Sequence, residues 1–124
     1  MNAGLGKGII VIPAYNEAEN IAGVIDEIRA AGLALDIVVV NDGSSDRTAQ
    51  VLRGLPVRTL SHPINLGYGV AVQTGMIHAE RNGYDFLVLM DGDGQHVPGE
   101  VHKLLAGLEG GADIVIGSRL LEGS

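Results

Sequence analysis

Asp91, Asp93 and Gln95 are three oxygen-bearing side chains at alternate positions, with Gly92 and Gly94 between them. That spacing lets two carboxylates and a carboxamide converge on one small volume while the glycines let the backbone turn tightly. Hard oxygen ligands of this kind suit a divalent cation, magnesium and manganese alike. In front of them runs Phe86-Leu87-Val88-Leu89-Met90, unbroken apolar sequence of the length of a buried strand. The expected unit is a central strand that delivers its acids to a loop at its carboxyl end, the edge at which open α/β sheets bind ligands. A plain polar turn is the competing reading. A calcium-binding EF-hand loop is excluded: counting from Asp91, the sixth position is His96 instead of glycine and the twelfth is His102 instead of glutamate.

The elements that must hold such a strand can be read in order. Residues 8–12 are a β-branched run ended by Pro13, as expected of a first central strand. Asn16 offers a helix N-cap with Glu19 completing a capping box, and Ile21, Val24, Ile25 and Ile28 recur at helical spacing before Gly32. Residues 36–40 repeat the strand pattern, and Asn41-Asp42-Gly43-Ser44-Ser45-Asp46 makes an acceptor-rich turn into a helix holding Ala49 and Leu52. A short third strand over 57–60 leads to Ser61-His62-Pro63-Ile64-Asn65-Leu66-Gly67-Tyr68-Gly69, whose glycines open a helix with Val72, Gly75, Met76 and Ala79 on one face. That helix stops at Asn82-Gly83. Beyond the acidic loop, Pro98 starts a helix with Val101, Leu104, Leu105 and Leu108 on one face, and residues 113–117 give a fifth strand.

Strands separated by single helices predict an α/β fold: a doubly wound, mostly parallel sheet with right-handed crossovers and helices on both faces. The 124 residues, 46% of them hydrophobic, are read as a single domain over 1–124 that stops soon after the fifth strand. A net charge of -7 repels nucleic acid and anionic lipid headgroups, so any phosphate must be held by local amides, single cations or a metal. With 3% aromatic residues there is little to stack bases, and zero cysteines remove thiolate metal sites and a cysteine nucleophile. The amino terminus has no signal-peptide or membrane-spanning pattern, and the expectation is a soluble, cytoplasmic protein.

The loops after the first, second and fourth strands share one edge of a parallel sheet. A cleft there would collect Tyr15 and Asn16, Asp42 and Ser44, and Asp91, Asp93 and Gln95. Each has a plainer role as well: Asn16 as a cap, Glu17 as a first-turn partner of the helix dipole, Asp42 as a turn initiator. His62, His78 and His102 show no metal-ligand spacing and are read as solvated surface, and Gly67-Tyr68-Gly69 as helix entry or a weak phosphate cradle.

Pro13-Ala14-Tyr15-Asn16-Glu17, Val40-Asn41-Asp42-Gly43-Ser44-Ser45-Asp46-Arg47-Thr48, Asn65-Leu66-Gly67-Tyr68-Gly69 and Asp91-Gly92-Asp93-Gly94-Gln95-His96-Val97-Pro98 follow one another in the order of the signatures of family 2 glycosyltransferases. The chain resembles most the branch that transfers sugars to dolichyl or polyprenyl phosphate. The resemblance implies a GT-A fold, with Pro13, Tyr15, Glu17, Asp42, Gly67 and Asp91 binding the nucleotide-sugar and Asp42 at the base. It implies Mg²⁺ or Mn²⁺ held by Asp91, Asp93 and Gln95, and catalytic roles for Asp93 and Arg119, the latter beside the phosphates. Its donor would be a UDP- or GDP-linked sugar and its acceptor a lipid phosphate, transfer proceeding with inversion and without a strong general base. Two positions depart from the pattern: Asn41 precedes Asp42 where relatives often carry two acids, and Tyr68 stands where relatives carry lysine.

Family members run well past this length, so the chain is expected to be the donor-binding portion of a longer parent, peripheral to a membrane there and weak or inactive alone. The alternative is a non-catalytic nucleotide-binding or self-associating module, a second copy covering the edge left open after the fifth strand. A nicotinamide-dependent dehydrogenase is a poor fit, since the turn after the first strand has none of the glycines that a pyrophosphate requires.

Overall fold

The computed structural model describes residues 6–32 and 35–90. Four strands, β1 (Gly8–Ala14), β2 (Asp36–Asp42), β3 (Arg58–His62) and β4 (Phe86–Leu89), alternate with α1 (Ile21–Ala30), α2 (Thr48–Arg53) and α3 (Tyr68–Arg81). The strands form one sheet in the order β3-β2-β1-β4, and every neighbouring pair is parallel. This is the α/β sheet expected from the sequence. The helix after Pro98 and the fifth strand fall outside the described residues.

Alternation along the strands sorts the core into two layers. Ile10, Ile12, Val39, Phe86 and Val88 face α1 and α2, where Ile21, Val24, Ile25, Ile28 and Leu52 bury the apolar stripe of each helix. Ile9, Val11, Val38, Val40 and Leu87 face α3 on the other side. That helix lies very close to the sheet, because its buried stripe is Ala71, Gly75 and Ala79. A Cβ on Gly75 would stand 2.4 Å from Val11 Cγ1, so any larger residue there would push the helix away.

Three strands run longer at their carboxyl ends than the sequence predicts, and β2 continues past Val40 to Asp42. β1 continues through Pro13 to Ala14, paired with Asn41 of β2. Proline is tolerated in this central strand because alternate residues point their backbone groups the same way. Val11 O accepts from Met90 N on the β4 side, and the β1–β4 register ends at Val11 opposite Leu89, so the N–H missing at Pro13 removes no rung of that described ladder. β3 runs from Arg58 to His62 instead of starting at Val57, and places His62 beside Asp42.

The chain builds outward from β1 through β2 to β3, then crosses back to lay β4 on β1's other side. Strand order therefore reverses between β1 and β4. A crevice opens outside the carboxyl ends of such a pair, flanked here by the residues after Ala14 and by the end of β4.

Candidate functional site

Among the described residues, three loops stand at the carboxyl edge, after β1, β2 and β3, and side-chain hydrogen bonds tie them into one rim. Asn16 has φ 55, a left-handed conformation that asparagine tolerates better than most residues. Its Oδ1 accepts from the backbone N–H groups of Ser45 at 2.8 Å and Asp46 at 3.2 Å, while its own N–H donates to Ser44 Oγ at 3.0 Å. Glu17 N–H donates to Thr48 Oγ1 at 2.9 Å. Ser44 in turn donates its hydroxyl to Asn41 Oδ1 at 2.7 Å and its N–H to the same oxygen at 3.3 Å.

The capping box expected at Asn16 and Glu19 does not form. The left-handed turn at Asn16 prevents a helix from starting there, and its side-chain Oδ1 is spent on the loop after β2. Helix α1 begins at Ile21 with Asn20 in the N-cap position and no side-chain cap; Glu17 O accepts from Asn20 N at 3.0 Å and Ile21 N at 2.9 Å. Asn16 is thus a clasp between loops, a role that neither reading of the sequence contained.

Asp42 is the centre of the other half of the rim. It is 3% exposed, and both oxygens are occupied. Oδ1 accepts from Leu66 N at 2.9 Å and meets His62 Nδ1 at 2.8 Å; Oδ2 accepts from Gly67 N at 2.9 Å and Asn65 Nδ2 at 3.0 Å. Burial pushes the carboxyl up, but the bonds from His62, Leu66 and Gly67 and the charge of His62 outweigh it and hold Asp42 below its ordinary 3.8. The carboxylate therefore stands at the N-terminus of α3 and uses the amides of Leu66 and Gly67 that a phosphate cradle would offer. Gly43 completes the joint. At φ 65, its missing Cβ would lie 2.1 Å from the Ile64 carbonyl carbon, so the loops after β2 and β3 touch backbone to backbone.

His62 corrects a second expectation. Read as solvated surface, it is instead held between Asp42 and Thr74 Oγ1, the latter at 2.8 Å from Nε2. The sequence does hold a signal for this: β2 and β3 both end on an ionisable residue just before their loops, and parallel strands with aligned ends bring Asp42 and His62 together. Asn65 and Thr74 give no such signal, because their contacts depend on how α3 docks.

Among the other residues singled out, Pro13 is buried at the end of β1, Tyr15 is 45% exposed beside it, and Glu17 is half-buried. Glu17 Oε1 accepts from Asn20 Nδ2 at 3.1 Å, so this carboxylate braces the approach to α1. Ile64, Leu66 and Tyr68 present apolar surface on the loop after β3 and the start of α3. Asp91, Asp93, Gln95 and Arg119 lie outside the described residues. Among the described residues no cluster of three or more acids and histidines could hold a metal ion, and no helix is long and apolar enough to cross a membrane.

Residues 9–124 match the model of glycosyl transferase family 2. The chain is 36% identical over 123 residues to the polyprenol monophosphomannose synthase of Mycolicibacterium smegmatis, covering 94% of this chain and 46% of that protein. It is 39% identical over 123 residues to the dolichol-phosphate mannosyltransferase of Pyrococcus furiosus, covering 94% of this chain and 34% of that one. Among solved structures it superposes with TM-score 0.70 and 27% identity on the glucosyl-3-phosphoglycerate synthase of Mycobacterium tuberculosis in complex with Mn²⁺, UDP and phosphoglyceric acid, over 86% of this chain and 40% of that one. The chain spans less than half the length of each of these proteins. The match across nearly all of its length, on a parallel sheet with helices on both faces, establishes that this chain belongs to glycosyl transferase family 2 and has the GT-A fold.

Proposed function

We propose that the rim binds a nucleotide-diphosphate sugar, UDP- or GDP-linked, and that the protein transfers the sugar with inversion to a polyprenyl phosphate. The observation that carries this reading is the reversal of strand order between β1 and β4. The loop after β1 flanks the crevice formed there, and the loops after β2 and β3 are fixed beside it. The names of the relatives supply the acceptor class, and the manganese and UDP of the superposed structure are the model for the ligand.

Tyr15 offers an exposed ring to the nucleoside, and Pro13 and Glu17 fix the path of that loop. Asp42 serves the base pocket through the loop it anchors; a direct bond to the base would have to replace one of its four present partners. The donor set of Asp91, Asp93 and Gln95, two carboxylates and a carboxamide, fits a hard divalent ion. β4 runs beside β1 up to Leu89, and the next residue, Met90, donates its N–H to Val11 O at 3.1 Å directly before Asp91. Held there, Mg²⁺ or Mn²⁺ would neutralise charge developing on the departing diphosphate.

The acceptor phosphate is already an oxyanion, so its oxygen attacks sugar C1 as the bond to the diphosphate breaks, and no proton has to be removed first. Arg119 is assigned to grip phosphate oxygens with its forked guanidinium. This chain by itself is proposed to be a donor-binding unit. Calorimetric titration of GDP and UDP with and without Mn²⁺ tests the reading: binding that requires the metal and is lost in Asp93→Ala supports it. Nucleotide heat indifferent to both removes the transferase assignment.

A further inference from the structure

The geometry points to His62 as a positioning residue of the sugar-nucleotide pocket, acting through Asp42; the inference rests on the donor-binding reading above. Asp42 can hold the loop after β3 only if its carboxylate keeps one orientation, with Oδ1 toward Leu66 N and Oδ2 toward Gly67 N and Asn65. Rotation about its terminal bond is easy in an aspartate, since that torsion is broad. The imidazole stops it. Nδ1–H donates to Oδ1 at 2.8 Å, and on the other side of the ring Nε2 makes a hydrogen bond with the Thr74 hydroxyl, also at 2.8 Å. Thr74 lies on α3, so the ring ties the end of β2 to the helix that follows the loop held by that same carboxylate.

The order of the sheet says which part of the reaction this affects. β2 and β3 lie on one side of β1 and β4 lies on the other. With Asp91 and Asp93 following β4, the diphosphate belongs near β4 and the nucleoside extends toward the loops after β1, β2 and β3. Loosening the loop after β3 therefore weakens ground-state binding of the nucleoside and leaves the reacting bond in place. In a complete enzyme this appears as a raised KM with kcat nearly unchanged.

Two substitutions separate positioning from simple filling of space. An asparagine amide nitrogen stands close to where imidazole Nδ1 stands, and a glutamine amide nitrogen stands nearer Nε2. His62→Asn keeps the bond to Asp42 and gives up volume; His62→Gln keeps more volume and gives up that bond. The test is calorimetric titration of UDP and GDP in the presence of Mg²⁺, with wild-type, His62→Asn and His62→Gln chains shown to be folded by circular dichroism. The expected result is binding weakened about tenfold in His62→Gln, as for loss of one charge-assisted hydrogen bond, and less than about threefold in His62→Asn.

Equal affinity in all three chains, or tighter binding by His62→Gln than by His62→Asn, overturns the inference and leaves the donor reading standing. Failure of the wild-type chain to bind either nucleotide overturns the donor reading itself, and this inference with it. If His62→Gln does not fold, Thr74→Val, which removes only the outer tether, is expected to weaken binding about threefold. Unchanged affinity in that variant overturns the assignment.

Discussion

The two edges of the sheet are built differently. At the carboxyl edge the loops after β1, β2 and β3 share an interlocking set of side-chain bonds: Asn16 to Ser45 and Asp46, Ser44 to Asn41, Asp42 to His62, Asn65, Leu66 and Gly67. At the amino edge the ties are separate pairs. Asp85 accepts from Lys7 N at 2.7 Å, Tyr84 donates to Asp36 at 2.5 Å, and Arg29 reaches the carbonyl of Pro56. Between Arg29, Asp36, Arg58, His78 and Tyr84 the amino edge leaves a cavity of about 310 Å³. A rim in which each polar group has several partners is costly to deform, which is what a preformed ligand site requires.

That contrast breaks most severely at Gly43. Gly43→Ala would drive a Cβ into the Ile64 backbone at a positive φ, and is expected to cost about 4 kcal/mol and separate the loops after β2 and β3, measured by urea unfolding. Asp42→Asn comes next. It turns an amide donor toward two of the four existing donors and is expected to cost about 3 kcal/mol by the same measurement. The wild-type carboxyl also carries a pH signature. Its folded pKa lies below 3.8, so its stabilisation is complete above that value and drains away as pH falls through the folded pKa. In Asp42→Asn, that part of the acid unfolding should be missing.

Asn16→Ala removes the clasp between the first two loops and also puts a less tolerant residue at φ 55, with an expected cost of about 1.5 kcal/mol. The amino edge should respond least. Tyr84→Phe deletes one exposed hydrogen bond and is expected to cost under about 1 kcal/mol, with no effect on nucleotide binding. Burial and the neighbouring Asp36 push the Tyr84 hydroxyl up to about 12. Being raised above its ordinary 10, it favours the folded state below pH 10 and loses that contribution as pH climbs from 10 toward 12, which ultraviolet titration of the phenol would follow.

How much of this could be read from the residues depends on the range of the forces involved. The strands and helices of the described residues were legible because β-branched runs and the Ile21-Val24-Ile25-Ile28 stripe are local patterns that burial in a parallel sheet then reinforces. The position of the rim followed from the alternation of strands and helices, since all loops after parallel strands share an edge. What Asn16 and His62 do was not legible. Each makes its contacts with a residue twelve or more positions away, and each has a short-range role that composition favours: a cap for Asn16, solvated surface for His62. Asp42 lay between these cases. Its Asp-Gly pairing announced a turn, and the turn is there, but the carboxylate's four partners come from a later loop and strand that only tertiary packing brings to it.

The central claim is that nucleotide-sugar is received at the interlocked edge. Backbone amide NMR of the isotope-labelled chain, titrated with GDP and with UDP in the presence of Mg²⁺, tests it most directly. The account predicts shifts concentrated in residues 15–20, 43–47 and 64–67, with those of Lys7, Asp36, Arg58 and Tyr84 unmoved. Shifts centred instead on the amino-edge cavity, or none at saturating nucleotide and magnesium, would contradict it.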